Sequence, residues 1–195
     1  MQQNNFNYDY SCYGGGIVFN SSYNQTIMPF SYISNTEFKG NAIIGSYCGI
    51  GLPPIQPDNK TGILNTDGMG KYKVIIGENV IIKSYSFIEA GLLRNTVIGD
   101  NVIIAAHVGI AHDVIIEDGV QILNDTAILG DAEIGAYTII ESRCSIMEGV
   151  KIGKNCIIKA GSIISHDIPD DTIVLTTYKH KKISRNLNFN RGHSL

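Results

Sequence analysis

The 195-residue sequence has no tryptophan, only five prolines and no cysteine pair with CxxC spacing. Its 15 basic and 18 acidic residues give a net charge of −3, so it lacks the basic excess typical of nucleic-acid-binding domains. No apolar run approaches the ~20 residues of a membrane span, and the polar start from Met1 to Tyr10 does not resemble a signal peptide. We therefore expect a cytoplasmic protein with reduced thiols, no nucleic-acid partner and no membrane span.

The sequence is instead rich in isoleucine and glycine, with 33 and 21 residues. From Ile98 to Ile164 an isoleucine stands at every sixth position, which gives twelve in phase. Four residues after each lies a small or β-branched residue, such as Val102 or Thr126. Isoleucine favours strands and glycine favours turns. A short fixed period indicates a repeat architecture, so the pattern predicts an all-β protein, a parallel β-helix in which three hexads form one coil and the repeated isoleucines point inward.

The repeat also has interruptions, which predict the organisation of the chain. The step from Ile88 to Ile98 is ten residues, so four extra residues should bulge out around Leu92 to Asn95. Before them, the six-residue step predicts the inward positions Tyr32, Phe38, Ile44, Ile50, Ile76 and Ile82. The sequence thus predicts an N-terminal cap segment (1–30), a β-helix (31–175) with an inserted loop (51–73), and a short C-terminal tail (176–195).

Two of the five histidines lie together, and they mark the candidate site. His112 falls at an outward turn position, and Asp113 beside it has the place of a group that orients a general base. Gly130 follows eighteen residues later, one coil on, where a glycine lets a substrate approach a backbone N–H closely. The alternative is a pair of surface histidines on a rigid scaffold.

The segment Ile110-Ala111-His112-Asp113, with Gly130 one coil later, resembles the active-site pattern of hexapeptide-repeat acyltransferases. The stretch from Val74 to Gly135 is similar to the UDP-3-O-acylglucosamine N-acyltransferases, and nucleotide-sugar acetyltransferases share the His-Asp pair. The resemblance implies a left-handed coil and a homotrimer. It also implies acyl transfer to an amine or hydroxyl of a nucleotide-linked sugar, with His112 as base and Gly130 as oxyanion donor.

The remaining assignments concern substrate and donor. We expect Glu89, His107 and Asn124 to bind the sugar substrate. The tail from Thr176 shows no helical pattern for a carrier protein, so we expect acetyl-CoA as the donor and no metal. Donor contacts are predicted at Gly130, Glu148 and Lys179.

Two other functions stay open. One is a γ-class carbonic anhydrase, since His107 and His112 have the spacing of two of its zinc ligands, although no histidine precedes His107 to supply a third. The other is a non-catalytic β-helix scaffold.

Two further predictions concern structure. Asp125 and Arg143 follow His107 at intervals of eighteen residues, one coil each, and we expect them to form a surface ion pair that contributes little to stability. Cys144 and Cys156 fall at inward positions and are expected in the core.

Overall fold

A computed structural model describes residues 10–11, 18–20, 25–54 and 71–175. Within these ranges the chain forms short strands and no helix, and thus no helix long and apolar enough to cross a membrane. The strands, numbered in chain order, build three sheets, here called A, B and C. Sheet A contains β1 Tyr10–Ser11, β4 Tyr32–Ile33, β7 Gly49–Leu52, β10 Phe87–Glu89, β13 Gly109–Ile110, β16 Ala127–Ile128, β19 Ser145–Ile146 and β22 Ile163–Ile164.

Sheets B and C complete the prism. Sheet B contains β2 Val18–Asn20, β3 Gln25–Ile27, β6 Ala42–Ile44, β9 Val80–Ile82, β12 Ile103–Ile104, β15 Gln121–Ile122, β18 Ile139–Ile140, β21 Ile157–Ile158 and β23 Ile173–Val174. Sheet C contains β5 Thr36–Phe38, β8 Val74–Ile76, β11 Thr96–Ile98, β14 Ile115–Ile116, β17 Glu133–Ile134 and β20 Lys151–Ile152. From β3 to β22 the chain passes through B, A and C in turn, so that three strands make one coil.

The register follows the six-residue repeat. Strand β13 pairs in parallel with β16, with Ile110 opposite Ile128, which corresponds to eighteen residues per coil. Strand β10 pairs with β13 with Ile88 opposite Ile110, a separation of 22 residues, so the predicted four-residue bulge lies between β10 and β11. Two pairings at the N-terminal end, β1 with β4 and β2 with β3, are antiparallel.

The core is a stack of isoleucines, and those at the sixfold positions from Ile98 to Ile164 are at most 4% exposed. Burial of each such side chain stabilises the fold by about 1.5–3 kcal/mol. Cys144 and Cys156 are buried between them as predicted, and both are free thiols. The prediction for Tyr32 is wrong: Ile33 points inward at 3% exposure, because the step from Ile33 to Phe38 is five residues rather than six.

Each coil has three corners, named here by the sheets they join. The A–C corner carries both predicted irregularities, since the insertion follows β7 and the bulge follows β10. The turn with His112 follows β13 at the same corner. Residues 55–70 of the insertion and the tail 176–195 lie outside the described residues. The division into cap, β-helix and tail stays a prediction.

Candidate active site

The turn between β13 and β14 holds the His-Asp pair. His112 Nδ1 lies 3.0 Å from Asp113 Oδ2. The Asp113 side chain is 2% exposed, whereas that of His112 is 24% exposed. Asp113 adopts a left-handed backbone conformation with φ of 64°, which aspartate tolerates better than most residues. The turn therefore buries the carboxylate and leaves one edge of the imidazole accessible.

The bulge one coil below holds the same carboxylate from its other side. Asp113 Oδ1 accepts hydrogen bonds from three successive backbone N–H groups, those of Leu92 at 2.8 Å, Leu93 at 2.9 Å and Arg94 at 3.0 Å. Gly91 allows the chain to turn back this tightly, because a Cβ at that position would lie 1.7 Å from the Arg94 carbonyl oxygen. The four extra residues thus form a backbone nest for the Asp113 carboxylate.

The charge state of Asp113 follows from these contacts. Burial raises the pKa of Asp113, but the hydrogen bonds from Arg94, Leu92, His112 and Leu93 outweigh burial, so the pKa lies below its usual value. An ionised Asp113 accepts a hydrogen bond from Nδ1–H of His112. We therefore assign the proton to Nδ1, which leaves the Nε2 lone pair to accept a proton from a substrate.

Gly130 lies against the face of the imidazole. A Cβ at position 130 would stand 2.8 Å from Cε1 and 3.1 Å from Nε2 of His112, so any side chain there would displace the ring. The N–H of Asp131 donates to the His112 carbonyl at 3.0 Å and holds the two turns together. Within the described part of the chain, the Gly130 N–H has no hydrogen-bond acceptor. An unpaired backbone N–H in a residue next to an imidazole is the kind of group that could serve as an oxyanion donor.

The two acidic residues predicted to contact substrate or donor lie at the same corner, but only Glu89 touches the His112 turn. Glu89, at the end of β10, accepts the backbone N–H of His112 through Oε2 at 3.2 Å. Burial raises the pKa of Glu89, and the contact with His112 offsets only part of this effect. Glu148 is exposed one coil above Gly130, where the next residue, Gly149, donates its N–H to the Gly130 carbonyl at 2.9 Å. Lys179 lies outside the described residues.

His107 and Asn124 lie elsewhere, at the B–A corner, with β13 between His107 and His112. The His107 ring packs against Tyr85 at a centroid distance of 5.2 Å, at the end of a row of aromatic side chains. Its Nδ1 is 3.4 Å from Asp125, and both side chains are about half exposed. Asp125 also contacts Arg143 at 3.9 Å, the expected surface pair. Substrate contact by His107 and Asn124 stays a prediction.

The described residues contain no group of three or more histidines, cysteines or acidic residues that could hold a metal ion. The two histidines whose spacing suggested a zinc site are at different corners of the coil. Sequence reasoning missed the residues that hold Asp113: the N–H groups of the bulge, and Thr96, whose Oγ1 accepts the Asp113 N–H at 3.0 Å. The available signal was a four-residue insertion directly after a glycine, Gly91, one coil before the histidine.

Comparison with known proteins agrees with this architecture. Residues 131–166 match the family described as "Bacterial transferase hexapeptide (six repeats)". The chain is 35% identical over 98 residues to the acyl-[acyl-carrier-protein]–UDP-N-acetylglucosamine O-acyltransferase of Campylobacter concisus, a match that covers 49% of this chain and 37% of that protein. The Helicobacter pylori enzyme of the same name is 32% identical over 130 residues, with 65% and 47% covered.

A solved structure shows the same fold. The UDP-N-acetylglucosamine acyltransferase from Bacteroides fragilis superposes with a TM-score of 0.69 at 26% identity, covering 77% of this chain and 57% of that one. This likeness confirms the predicted left-handed parallel β-helix. The chain spans about half the length, or less, of the curated relatives named above.

The names of these relatives correct one prediction. Acetyl-CoA is wrong as the expected donor, because the relatives take the acyl group from an acyl carrier protein. Acetyl-CoA and an acyl carrier protein both present the acyl group as a thioester. A general base and an oxyanion-binding N–H recognised in the sequence therefore do not distinguish between these two acyl donors. The predicted donor contacts at Gly130, Glu148 and Lys179 stay predictions.

Proposed function

We propose that this hexapeptide-repeat β-helix protein belongs to the acyltransferase superfamily and transfers an acyl group to a nucleotide-linked sugar. The observation that carries this proposal is the His112 ring, which is oriented by a buried Asp113 and lies against Gly130. This arrangement provides a proton acceptor and a free N–H donor side by side, which are the two groups that acyl transfer requires.

The proposed reaction proceeds through a tetrahedral intermediate. His112 Nε2 takes the proton of the acceptor group as its oxygen or nitrogen attacks the thioester carbonyl carbon. The Gly130 N–H donates to the carbonyl oxygen, which becomes an oxyanion. The C–S bond then breaks, and the leaving thiolate takes the proton from His112. Asp113 stays ionised throughout and stabilises the imidazolium that forms between the two proton transfers.

The relatives suggest the substrates to test first. Both named relatives act on UDP-N-acetylglucosamine as O-acyltransferases with acyl-carrier-protein thioesters. We propose a hydroxyl of this type of nucleotide sugar as the acceptor and a carrier-protein thioester as the donor. We propose that Glu89 accepts a hydrogen bond from a sugar hydroxyl, and the contact of its carboxyl group with the backbone of His112 supports this role.

We further propose that the protein acts as a homotrimer in the cytoplasm, as predicted from the resemblance and the sequence. Outward isoleucines in register on adjacent strands of sheet B support self-association: Ile43 and Ile103 are 46% and 37% exposed, and Ile81 lies between them. Light scattering at micromolar concentration should give three times the mass of one chain, and a monomer would contradict the proposal. Cell fractionation tests the location.

The decisive experiment is a transfer assay read by mass spectrometry. The protein is incubated with UDP-N-acetylglucosamine and carrier-protein thioesters of several acyl chain lengths. We expect a nucleotide sugar heavier by one acyl group and free carrier thiol in equal amount. Failure of every thioester with several nucleotide sugars would contradict the proposed function and favour a non-catalytic scaffold.

A further inference from the structure

Arg94, at the end of the bulge, contacts three acidic residues on two further coils. Its Nε donates to the Asp113 carbonyl at 2.9 Å, and its Nη1 donates to Glu133 Oε1 at 3.1 Å. Its Nη2 lies 2.9 Å from Asp131 Oδ1, an ion pair by distance, although within the described residues this buried nitrogen makes no hydrogen bond of good geometry. Together with its backbone N–H on the Asp113 carboxylate, Arg94 thus makes four polar contacts across the A–C corner.

The positions of two of these partners are informative. Asp113 directly follows the base His112, and Asp131 directly follows the oxyanion donor Gly130. One guanidinium therefore contacts the residue after the base and the residue after the donor. The Asp131 N–H adds a direct bond to the His112 carbonyl at 3.0 Å. Since these turns belong to successive coils, the side chain of Arg94 spans the two elements whose spacing the reaction needs.

Stability alone is a weak explanation for such an arrangement. The Arg94 side chain is 36% exposed and that of Asp131 is 61% exposed, and ion pairs at this exposure contribute little to stability. A planar guanidinium can hold two oxygen atoms through directed hydrogen bonds, here those of Asp113 and Glu133, and keep a third, that of Asp131, within ion-pair distance. A lysine ammonium, by contrast, is a point charge on a flexible stem. A fixed geometry is valuable because a misplacement of about 1 Å in an active site can lower the rate about 100-fold.

We propose that Arg94 is a positioning residue that sets the spacing between His112 and Gly130. This inference rests on the proposed acyl transfer. Arg94 need not touch the substrate, and its effect acts through the turns of Asp113 and Asp131. The Glu133 contact anchors the guanidinium, and Glu133 is itself paired with Lys151 at 3.2 Å.

Kinetics of three variants test the proposal. Arg94→Gln should lower kcat about 10–100-fold with KM for the sugar changed by less than about 3-fold, since ground-state binding is retained while alignment is lost. Arg94→Lys keeps the positive charge but not the planar set of N–H donors, so its kcat should stay close to that of Arg94→Gln. Arg143→Gln, which removes an exposed arginine from the B–A corner, is the matched control and should leave kcat unchanged. Equal kcat values in all variants, or full recovery in Arg94→Lys, would overturn the proposal.

A measurement without substrate separates this inference from the proposed function. In uniformly ¹⁵N-labelled protein, the His112 ring of the wild type should show a single tautomer protonated at Nδ1. Arg94→Gln should shift the ring signals of His112 and the amide signal of Gly130 while circular dichroism stays that of the folded β-helix. Unchanged signals in Arg94→Gln would overturn the positioning role, even if the wild type transfers acyl groups. Shifted signals in a wild-type background without any transfer activity would support the positioning role and contradict the function alone.

Discussion

The A–C and B–A corners of one coil each carry a histidine paired with an aspartate, yet the two pairs differ physically. At the A–C corner the His112–Asp113 distance is 3.0 Å and the aspartate is 2% exposed. At the B–A corner the His107–Asp125 distance is 3.4 Å and the aspartate is 48% exposed. The bulge accounts for the difference, because its three N–H groups compensate for burial of Asp113. A neighbouring carboxylate alone does not hold an imidazole in one orientation. His112 is held because its partner carboxylate is buried and fully hydrogen-bonded, whereas His107 and its partner are exposed to solvent.

The largest effect should come from replacing Asp113 by asparagine, and the same replacement of Asp125 is its control. Asp113→Asn removes the charge that holds the Nδ1 proton, so the ring can adopt the wrong tautomer, and kcat should fall about 10²–10⁴-fold. Asp125→Asn at the other corner should change kcat by less than about 3-fold. Steady-state transfer rates measure both. Equal losses in the two variants would remove the distinction between the corners.

The second effect concerns the close contact of Gly130 with the ring. Gly130→Ala should lower kcat about 10–100-fold, because the methyl group displaces the imidazole, with little change in the melting temperature. Gly149→Ala, one coil above, is the counterpart. It has a φ of +71°, and a Cβ added there would meet no atom within 4 Å, so alanine should cost about 1 kcal/mol of stability and leave kcat intact. If both variants lost stability and neither lost rate, Gly130 would be structural.

The third effect is a pH dependence of stability. Because the pKa of Asp113 is lowered in the folded protein, its ionised form stabilises the fold above the ordinary value of 3.8, and this contribution disappears as the pH falls through the lower folded value. At pH 7, urea unfolding should show Asp113→Asn to be about 1–3 kcal/mol less stable than the wild type. This difference in the free energy of unfolding should become smaller as the pH falls below about 4, because Asp113 of the wild type then becomes protonated. A difference that stays constant down to pH 2 would assign it to packing.

The smallest effect should come from the exposed pair at the B–A corner. Arg143 is 81% exposed and lies 3.9 Å from Asp125, so Arg143→Ala should change the free energy of unfolding by less than about 0.5 kcal/mol. Thermal unfolding at low and high salt measures this change in stability and the part of it that salt screens. A loss above 2 kcal/mol would show that this corner is held more tightly than its exposure indicates.

Much of the fold and part of the site follow from the sequence. The six-residue isoleucine period predicts the coils, since each isoleucine must point into the prism, and the ten-residue step from Ile88 to Ile98 predicts the bulge. The period fails at Tyr32, where a five-residue step moves Ile33 inward. It also says nothing about how the bulge folds. The direction of three N–H groups toward Asp113, and the reach of Arg94 across two coils, depend on tertiary contacts that no local pattern encodes.

We propose that His112, and not His107, is the base of an acyl transfer. One assay tests it directly: product formation from UDP-N-acetylglucosamine and a carrier-protein thioester by the wild type, His112→Ala and His107→Ala. Both variants should remain folded, because neither side chain lies in the isoleucine core. We expect His107→Ala to retain transfer within about 5-fold of the wild type and His112→Ala to lose about 10²–10⁴-fold. Comparable activity of the two variants would contradict the assignment of His112 as the base.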